Sequence, residues 1–348
     1  MKAITVQPMV AGSAQLQDVP EPDIRNGSVL VEAIAVGVCG TDVEIVEGRY
    51  GWAPPGRPRL VLGHESLGRV IDPGPTSSLQ KGDLVVGIVR RPDPVPCPNC
   101  AVGEWDMCRN GQYTEHGIKQ IDGFMSERWR IEPEYVMKVD PSLGLLGVLL
   151  EPTTVVAKAW EQVTAIGRRA FWEPRTVLVT GAGPIGLLAA LLGKLRGLEV
   201  HVLDRAKTGP KPELVRALGA TYHTGAITDI GFEPDVIIEC TGVGQLITES
   251  GQKIAAGGIV CLTGVGSGGS SLVPTADAAA HAVLKNNVIV GSVNANKRHW
   301  YKAGEDLARA DHSWLAHLVT RRERPENFAK ALERTSDDIK VVVQFSEI

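Results

Sequence analysis

RTVLVTGAGPIGLLAALLGKLRG (175–197) is the stretch that decides the fold. Thr176–Thr180 is a short β-branched and apolar run of the kind that forms a buried strand. Gly181, Gly183 and Gly186 then punctuate a G-x-G-x-x-G turn, and from Pro184 onward the apolar residues recur with helical spacing. Taken alone the glycine pattern is weak, because glycine is common. Between a strand and a helix it is strong: glycines permit a tight turn, close approach of backbone to a pyrophosphate, and close packing of helix on strand. The free N–H groups and positive dipole end of that helix favour phosphate. Gly181, Gly183, Pro184, Ile185 and Gly186 are therefore the expected phosphate-binding turn of a dinucleotide site. An acid is expected about 20 residues on, at the end of the second strand, to accept bonds from the adenosine ribose. Asp204 of LEVHVLD (198–204) meets that requirement. Its charge favours NAD over NADP, while Arg205 and Lys207 beside it leave NADP possible by offering cations to a 2′-phosphate.

Downstream, strand-like and helix-like segments keep alternating: PELVRALGA (212–220), PDVIIECTG (234–242), LITESGQKIAAGG (246–258), IVCLTGVG (259–266) and NVIVGSV (287–293). Such alternation predicts parallel βαβ units. GSGGSS (266–271) reads as a loop near the cofactor. Helical stretches are expected around 300–320 and 325–335, and a closing strand at IKVVVQF (339–345). Upstream, the texture is different. Short β-type runs such as SVLVEAIAVGV (28–38) and GDLVVGIV (82–89) lie between glycine and proline turns, and helical spacing begins near residue 157. A chain of 348 residues exceeds what one core usually supports, so two domains are expected.

Composition narrows the function classes. With 43% hydrophobic and 22% charged residues the chain can build sizeable cores. A formal net charge of −4 offers no sequence-wide attraction to nucleic acid or anionic membrane, so neither is an expected partner. The N-terminus lacks a signal-peptide pattern and no run of about 18 apolar residues is evident, which makes the cytoplasm the expected location.

The six cysteines are unevenly spread: Cys97, Cys100 and Cys108 crowd into one loop. In an intracellular protein that clustering points to metal. Cys97-Pro-Asn-Cys100 is a compact chelate and Cys108 a nearby third thiol, so a structural zinc is expected, with Asp93 as a candidate fourth ligand because a fourth cysteine is missing. Cys240 and Cys261 lie in apolar runs and are expected to be buried thiols. A second set of ligands follows apolar runs elsewhere: Cys39-Gly-Thr-Asp after AIAVGV and Gly63-His-Glu after RLVL. Cys39 and His64 supply two zinc ligands, and the third is a carboxylate from Glu65 or from Glu151 in LLEPTT.

Cys39-Gly-Thr-Asp, Gly63-His-Glu, the CxxC-x7-C lobe, Glu151-Pro and GAGPIG occur in an order that resembles the zinc-containing medium-chain dehydrogenase/reductase superfamily. GIVRRP (87–92), CRNGQYTEHGIKQIDGFMSERW (108–129) and GSVNANKRHW (291–300) resemble, more closely, its archaeal-type glucose 1-dehydrogenase branch. The resemblance implies an α/β fold made of a GroES-like β-rich catalytic domain (1–155 and 295–348) and a Rossmann doubly wound parallel-sheet domain (156–294). It implies that Cys39, His64 and Glu151 hold a catalytic zinc, with Glu65 as ligand or near neighbour. Thr41 would contact the substrate oxygen and Asp42 would orient the histidine ligand. Glu115 and His299, together with Glu151, would contact the sugar. Val89 and Val155 stand where some members carry polar residues, and Asp204-Arg205-Ala206 replaces an NADP-type Asn-Arg-Arg run.

The function this implies is transfer of a hydride from a sugar hydroxyl, C1 of an aldose such as glucose, to NAD(P)⁺, giving a lactone. Other readings are a dehydrogenase of another polyol, cyclitol or secondary alcohol, a zinc-free quinone reductase, and a non-catalytic dinucleotide-binding protein. Intact Cys39, His64, Glu151 and Thr41 favour the zinc enzyme. A homo-dimer or homo-tetramer is implied by the resemblance.

Overall fold

A computed structural model describes residues 1–266 and 275–348 and divides the chain into two compact units, Met1–Glu151 with Asn296–Ile348, and Pro152–Ala295. Beyond Gly266, the GSGGSS stretch lies outside the described residues.

The second unit is built on a six-stranded parallel sheet whose spatial order is 221–223, 199–203, 176–180, 236–239, 259–262, 288–291. Chain order therefore reverses direction between Thr176–Thr180 and Val236–Glu239, the place where doubly wound sheets bind ligands beyond their strand ends. Val177, Leu178 and Val179 have no exposed surface, nor have Leu187–Ala190 of the helix Pro184–Leu195. Buried on both faces, the central strand can be uniformly apolar. Cys261 lies in the strand Ile259–Leu262 and is buried; Cys240, half-buried, follows the strand Val236–Glu239. Burial pushes both thiols up to about 12, as suits packed residues.

The first unit is β-rich. Its largest sheet has seven strands and is organised around the long strand Val29–Val38, which pairs antiparallel with Glu65–Asp72 on one side and with Lys340–Gln344 on the other. The C-terminal segment thus returns to complete the sheet begun near the N-terminus. Ala33–Val36 are buried because both faces of that strand are covered.

Three local expectations need correction. The region expected to be helical over 300–320 holds helices Lys297–Arg309 and His312–Ala316, then turns into a strand, Val319–Glu323, parallel to Lys340–Gln344. Its sequence VTRRE alternates half-buried and exposed residues on a sheet edge, where charged side chains are well tolerated. Near residue 157 the helix does not begin; it begins at Leu150 and carries Glu151 in its first turn. Finally, Pro141–Gly167 is by length and composition long and apolar enough to cross a membrane, although most of it is buried inside the fold. Gly144 (φ 49°, ψ −128°) interrupts its helical backbone.

Candidate active site

Cys39 stands where the strand Val29–Val38 gives way to the helix Gly40–Val46. His64 and Glu65 stand where a turn enters the strand Glu65–Asp72. Gly63 makes that entry possible: its φ is +88°, and a Cβ there would lie 2.5 Å from Met125 Cγ. Pairing of the two strands brings Gly37 opposite Glu65. As a result the donor atoms of Cys39, His64 and Glu65 lie within 4.8 Å of one another, a spacing compatible with one tetrahedral ion.

The surroundings hold these three groups in place. Asp42 is fully buried; one of its oxygens accepts from the Cys39 backbone N–H at 2.8 Å, and the other lies 3.5 Å from His64 Nδ1. With Nδ1 turned to Asp42, Nε2 is the nitrogen available to a metal. Burial opposes a charge on His64, but Asp42 and Cys39 outweigh it and raise the imidazole well above its ordinary value. Lys340 is buried and donates to both Glu65 oxygens, at 2.6 and 2.5 Å, and to Val38 O at 3.3 Å. Glu151 faces the same group electrostatically: burial pushes its carboxyl up to about 7, His64 works against that rise and Glu65 adds to it. Of the two carboxylates proposed as third ligand, Glu65 joins the cluster within 4.8 Å. Thr41 Oγ1 lies 3.9 Å from Cys39 Sγ, close enough for a hydroxyl to reach a ligand held there.

The second cluster lies in the same unit. Cys97 caps the short helix Pro98–Ala101, and its sulfur accepts from the backbone N–H groups of Arg109 (3.4 Å) and Cys100 (3.5 Å). Those donors pull the Cys97 thiol down to about 6, while burial pushes Cys100 up to about 11. The sulfurs of Cys97, Cys100 and Cys108 lie within 4.8 Å of one another, packed against Trp105 and Tyr135. Asp93, the candidate fourth ligand, is not brought into this group. One of its oxygens accepts from Val95 N at 2.9 Å in an Asx turn, and the other from Asn110 Nδ2 at 2.8 Å, so both are already engaged.

Glu115 is buried with Arg90, whose Nε donates to it at 3.0 Å while the guanidinium stacks 3.7 Å over Tyr113. His299 is buried in the first turn of the helix Lys297–Arg309, its Nδ1 accepting from Asn296 N at 3.0 Å. In the second unit, Gly181 adopts φ +91°, and a Cβ on Gly186 would fall 1.8 Å from Gly181 O; a Cβ on Gly183 would meet nothing. The turn is thus tight on the protein side and open at its middle glycine. Asp204 accepts from Ala182 N at 2.6 Å and from Ala206 N at 2.9 Å, which ties the acid to the glycine turn. Arg205 and Lys207 are exposed.

Sequence reasoning did not single out Lys340, Gly37 or Glu239. A Cβ on Gly37 would lie 2.0 Å from Glu65 Oε2, so only glycine leaves room for that carboxylate. Glu239 is fully buried and accepts from Thr180 Oγ1 (3.1 Å), Thr241 N (2.8 Å) and Gly242 N (3.0 Å) at the point where strand order reverses. Register could have suggested Lys340, a lone cation before the apolar run VVV; nothing local marks the other two.

Residues 144–345 match the model of the glucose dehydrogenase C-terminus, and residues 25–141 match that of the alcohol dehydrogenase GroES-like domain. The chain belongs to the glucose dehydrogenase family, among the zinc-containing medium-chain dehydrogenase/reductases. Within this family it is 42% identical to glucose 1-dehydrogenase 2 of Vulcanisaeta moutnovskia over 99% of both chains. It is 40% identical to the glucose 1-dehydrogenase of Thermoproteus tenax, again over 99% of each. The glucose dehydrogenase of Haloferax mediterranei, solved in complex with NADP, Zn and gluconolactone, covers 100% of both chains with a TM-score of 0.93 and 32% identity. The family fold pairs a GroES-like domain with a Rossmann-type parallel sheet, and both are present here.

Proposed function

We propose that the chain is a zinc-dependent sugar dehydrogenase that oxidises C1 of an aldose to a lactone and passes the hydride to NAD(P)⁺. The observation that carries this reading is the gathering of Cys39, His64 and Glu65 within 4.8 Å in a chain of this family. A thiolate, an imidazole and a carboxylate form a donor set suited to zinc, and a zinc ion bound there supplies Lewis acidity towards the substrate hydroxyl. Asp42 keeps His64 in the orientation that presents Nε2. Lys340 holds Glu65 in place and balances the negative charge collected around it. The Thr41 hydroxyl would accept a hydrogen bond from the substrate hydroxyl and relay its proton, releasing its own proton to water as it takes the substrate's. Glu115, positioned by Arg90, and His299 bind sugar hydroxyls, and Glu151, with its raised carboxyl, faces the same substrate. Cys97, Cys100 and Cys108 hold a structural zinc whose fourth ligand is not Asp93.

Gly181, Gly183, Pro184, Ile185 and Gly186 bind the pyrophosphate, and Asp204 the ribose, which favours NAD⁺. Asp204→Ser should shift the ratio of kcat/KM values towards NADP⁺ by about tenfold, or about 1.4 kcal/mol. An unchanged ratio would transfer control to Arg205 and Lys207. The proposal includes a cytoplasmic homo-dimer or homo-tetramer, which light scattering on the purified protein would distinguish. The deciding experiment is a panel of aldoses, cyclitols and secondary alcohols with each cofactor on zinc-replete protein. Highest kcat/KM on a cyclitol or simple alcohol would favour the polyol reading, for which apolar Val89, buried two residues before Arg91, provides the motive.

A further inference from the structure

The β-rich unit contains a cavity of about 770 Å³ that shares no residue with Cys39, Thr41, His64, Glu65 or Glu151. Its volume is that of a small-molecule site. Phe124, Ser126 and Trp129, all buried, contribute to its wall. Six arginines line it: Arg25, Arg57, Arg59, Arg91, Arg128 and Arg130. Four carboxylates line it as well, and each is taken by one arginine: Asp23 by Arg25, Asp122 by Arg57, Glu132 by Arg91 and Glu21 by Arg128, at 2.6 to 2.8 Å. Arg59 and Arg130 remain.

Neither of these two is oriented by an acid. Arg59 donates to Thr5 Oγ1 at 2.9 Å and to the carbonyls of Thr5 and Ser13 at 3.0 and 2.6 Å. Arg130 donates to the carbonyls of Pro22 and Ser28, each at 3.2 Å, and Asp23, already held by Arg25, is the nearby carboxylate that feels its charge. Burial lowers the Arg59 guanidinium, the direction expected of a cation losing water without gaining an anion. Trp129 Nε1 and Arg128 Nε also lack an acceptor among the described residues, but they are fully buried behind the wall and add nothing to its lining. The cavity has an excess of positive charge, held in place by neutral acceptors. A dianionic phosphate ester, with three acceptor oxygens suited to the guanidinium fork, matches that excess.

We propose that this cavity, which none of the proposed zinc ligands lines, binds a small phosphorylated metabolite. The test is calorimetric titration of the full-length, zinc-loaded protein with 3-phosphoglycerate, whose phosphate and carboxylate suit two guanidiniums. Glycerate, the same skeleton without phosphate, serves as the comparison. Saturable binding at one site per chain is expected, with Kd below roughly 1 mM at about 150 mM salt, and glycerate should bind at least about tenfold more weakly. Arg59→Gln and Arg130→Gln should each weaken binding about tenfold while leaving KM for NAD(P)⁺ unchanged. Arg309→Gln, on an exposed helix end, should not change it. Because Arg59 also ties down Thr5 and Ser13, Arg130→Gln reads the proposal even where Arg59→Gln fails to fold. Absence of saturation, equal affinity in the Arg130 variant, equal binding of glycerate, or displacement of the ligand by NADP⁺ would each overturn it.

Discussion

Cys39 comes from the junction of a strand and a helix, His64 and Glu65 from the entry to a second strand, and their buried cation Lys340 from the far end of the chain. Cys97, Cys100 and Cys108 come from one loop, and the groups that steady them are backbone N–H donors within it or beside it. Both clusters bring three ligand atoms within 4.8 Å. They differ in what that proximity depends on. The first exists only when the antiparallel sheet has formed, since it needs Val29–Val38 and Glu65–Asp72 in register. The second is a local turn resting on Trp105 and Tyr135, and its integrity bears on the lobe more than on the chemistry.

His64→Ala is the strongest way to break this comparison. Turnover should fall by more than roughly a thousandfold, since several kcal/mol of charge stabilisation are removed. Zinc analysis should show loss of one equivalent with the lobe still loaded. A zinc-free variant that kept full activity would sink the assignment.

Lys340→Met tests whether the first cluster depends on its distant strand. Removing one partner of a buried ion pair leaves Glu65 uncompensated and should cost about 3–5 kcal/mol in denaturant unfolding, less for Lys340→Arg. Stability within ~0.5 kcal/mol of wild type would mean that the pair is not structurally required.

At the lobe, Cys100→Ser should cost about 1–3 kcal/mol and accelerate amide exchange in residues 97–110, with kcat/KM on the sugar changed less than about threefold. A collapse of kcat like that of His64→Ala would erase the distinction between the clusters.

The smallest effect concerns the short sheet beside the lobe. His116, on the strand Thr114–His116, is buried against Phe124, its Nδ1 meeting Asp122 O and its Nε2 meeting Arg91 Nη2. Burial, and then Arg91, lower it to about 3. A neutral folded imidazole and an unfolded one titrating near 6.5 mean that the unfolded state binds the extra proton between those values. Stability should therefore be nearly unaffected above about pH 6.5 and fall as the pH drops towards 3, by about 1.4 kcal/mol at pH 5.5. His116→Gln, which keeps a donor and an acceptor but cannot titrate, should flatten that limb in urea melts. An unaltered acid slope would assign it to other groups.

The glycine turn proposed for the dinucleotide was legible because its constraints are local. Gly181 needs its positive φ, Gly186 its missing Cβ, and the adjacent strand and helix announce themselves by period. Cys39, His64, Glu65 and the three lobe cysteines were legible as chemistry, since few other uses explain those residue types at those spacings. The sequence left the choice between Glu65 and Glu151 open, offered Asp93 as a ligand, and gave no sign of the strand Val319–Glu323, which begins at the end of the stretch expected to be helical over 300–320. Those questions turned on register. Which carboxylate joins Cys39 and His64 depends on Gly37 lying opposite Glu65 and on Lys340 arriving beside Val38, contacts between residues far apart in the chain. The four ion pairs of the arginine-lined cavity, and the two arginines they leave over, likewise join residues brought together only by folding. Local dihedral and periodic preferences are written residue by residue, so sequence alone determined the strand, the turn and the ligand types. Long-range pairing and burial decide which charges meet, and only the tertiary structure contained that.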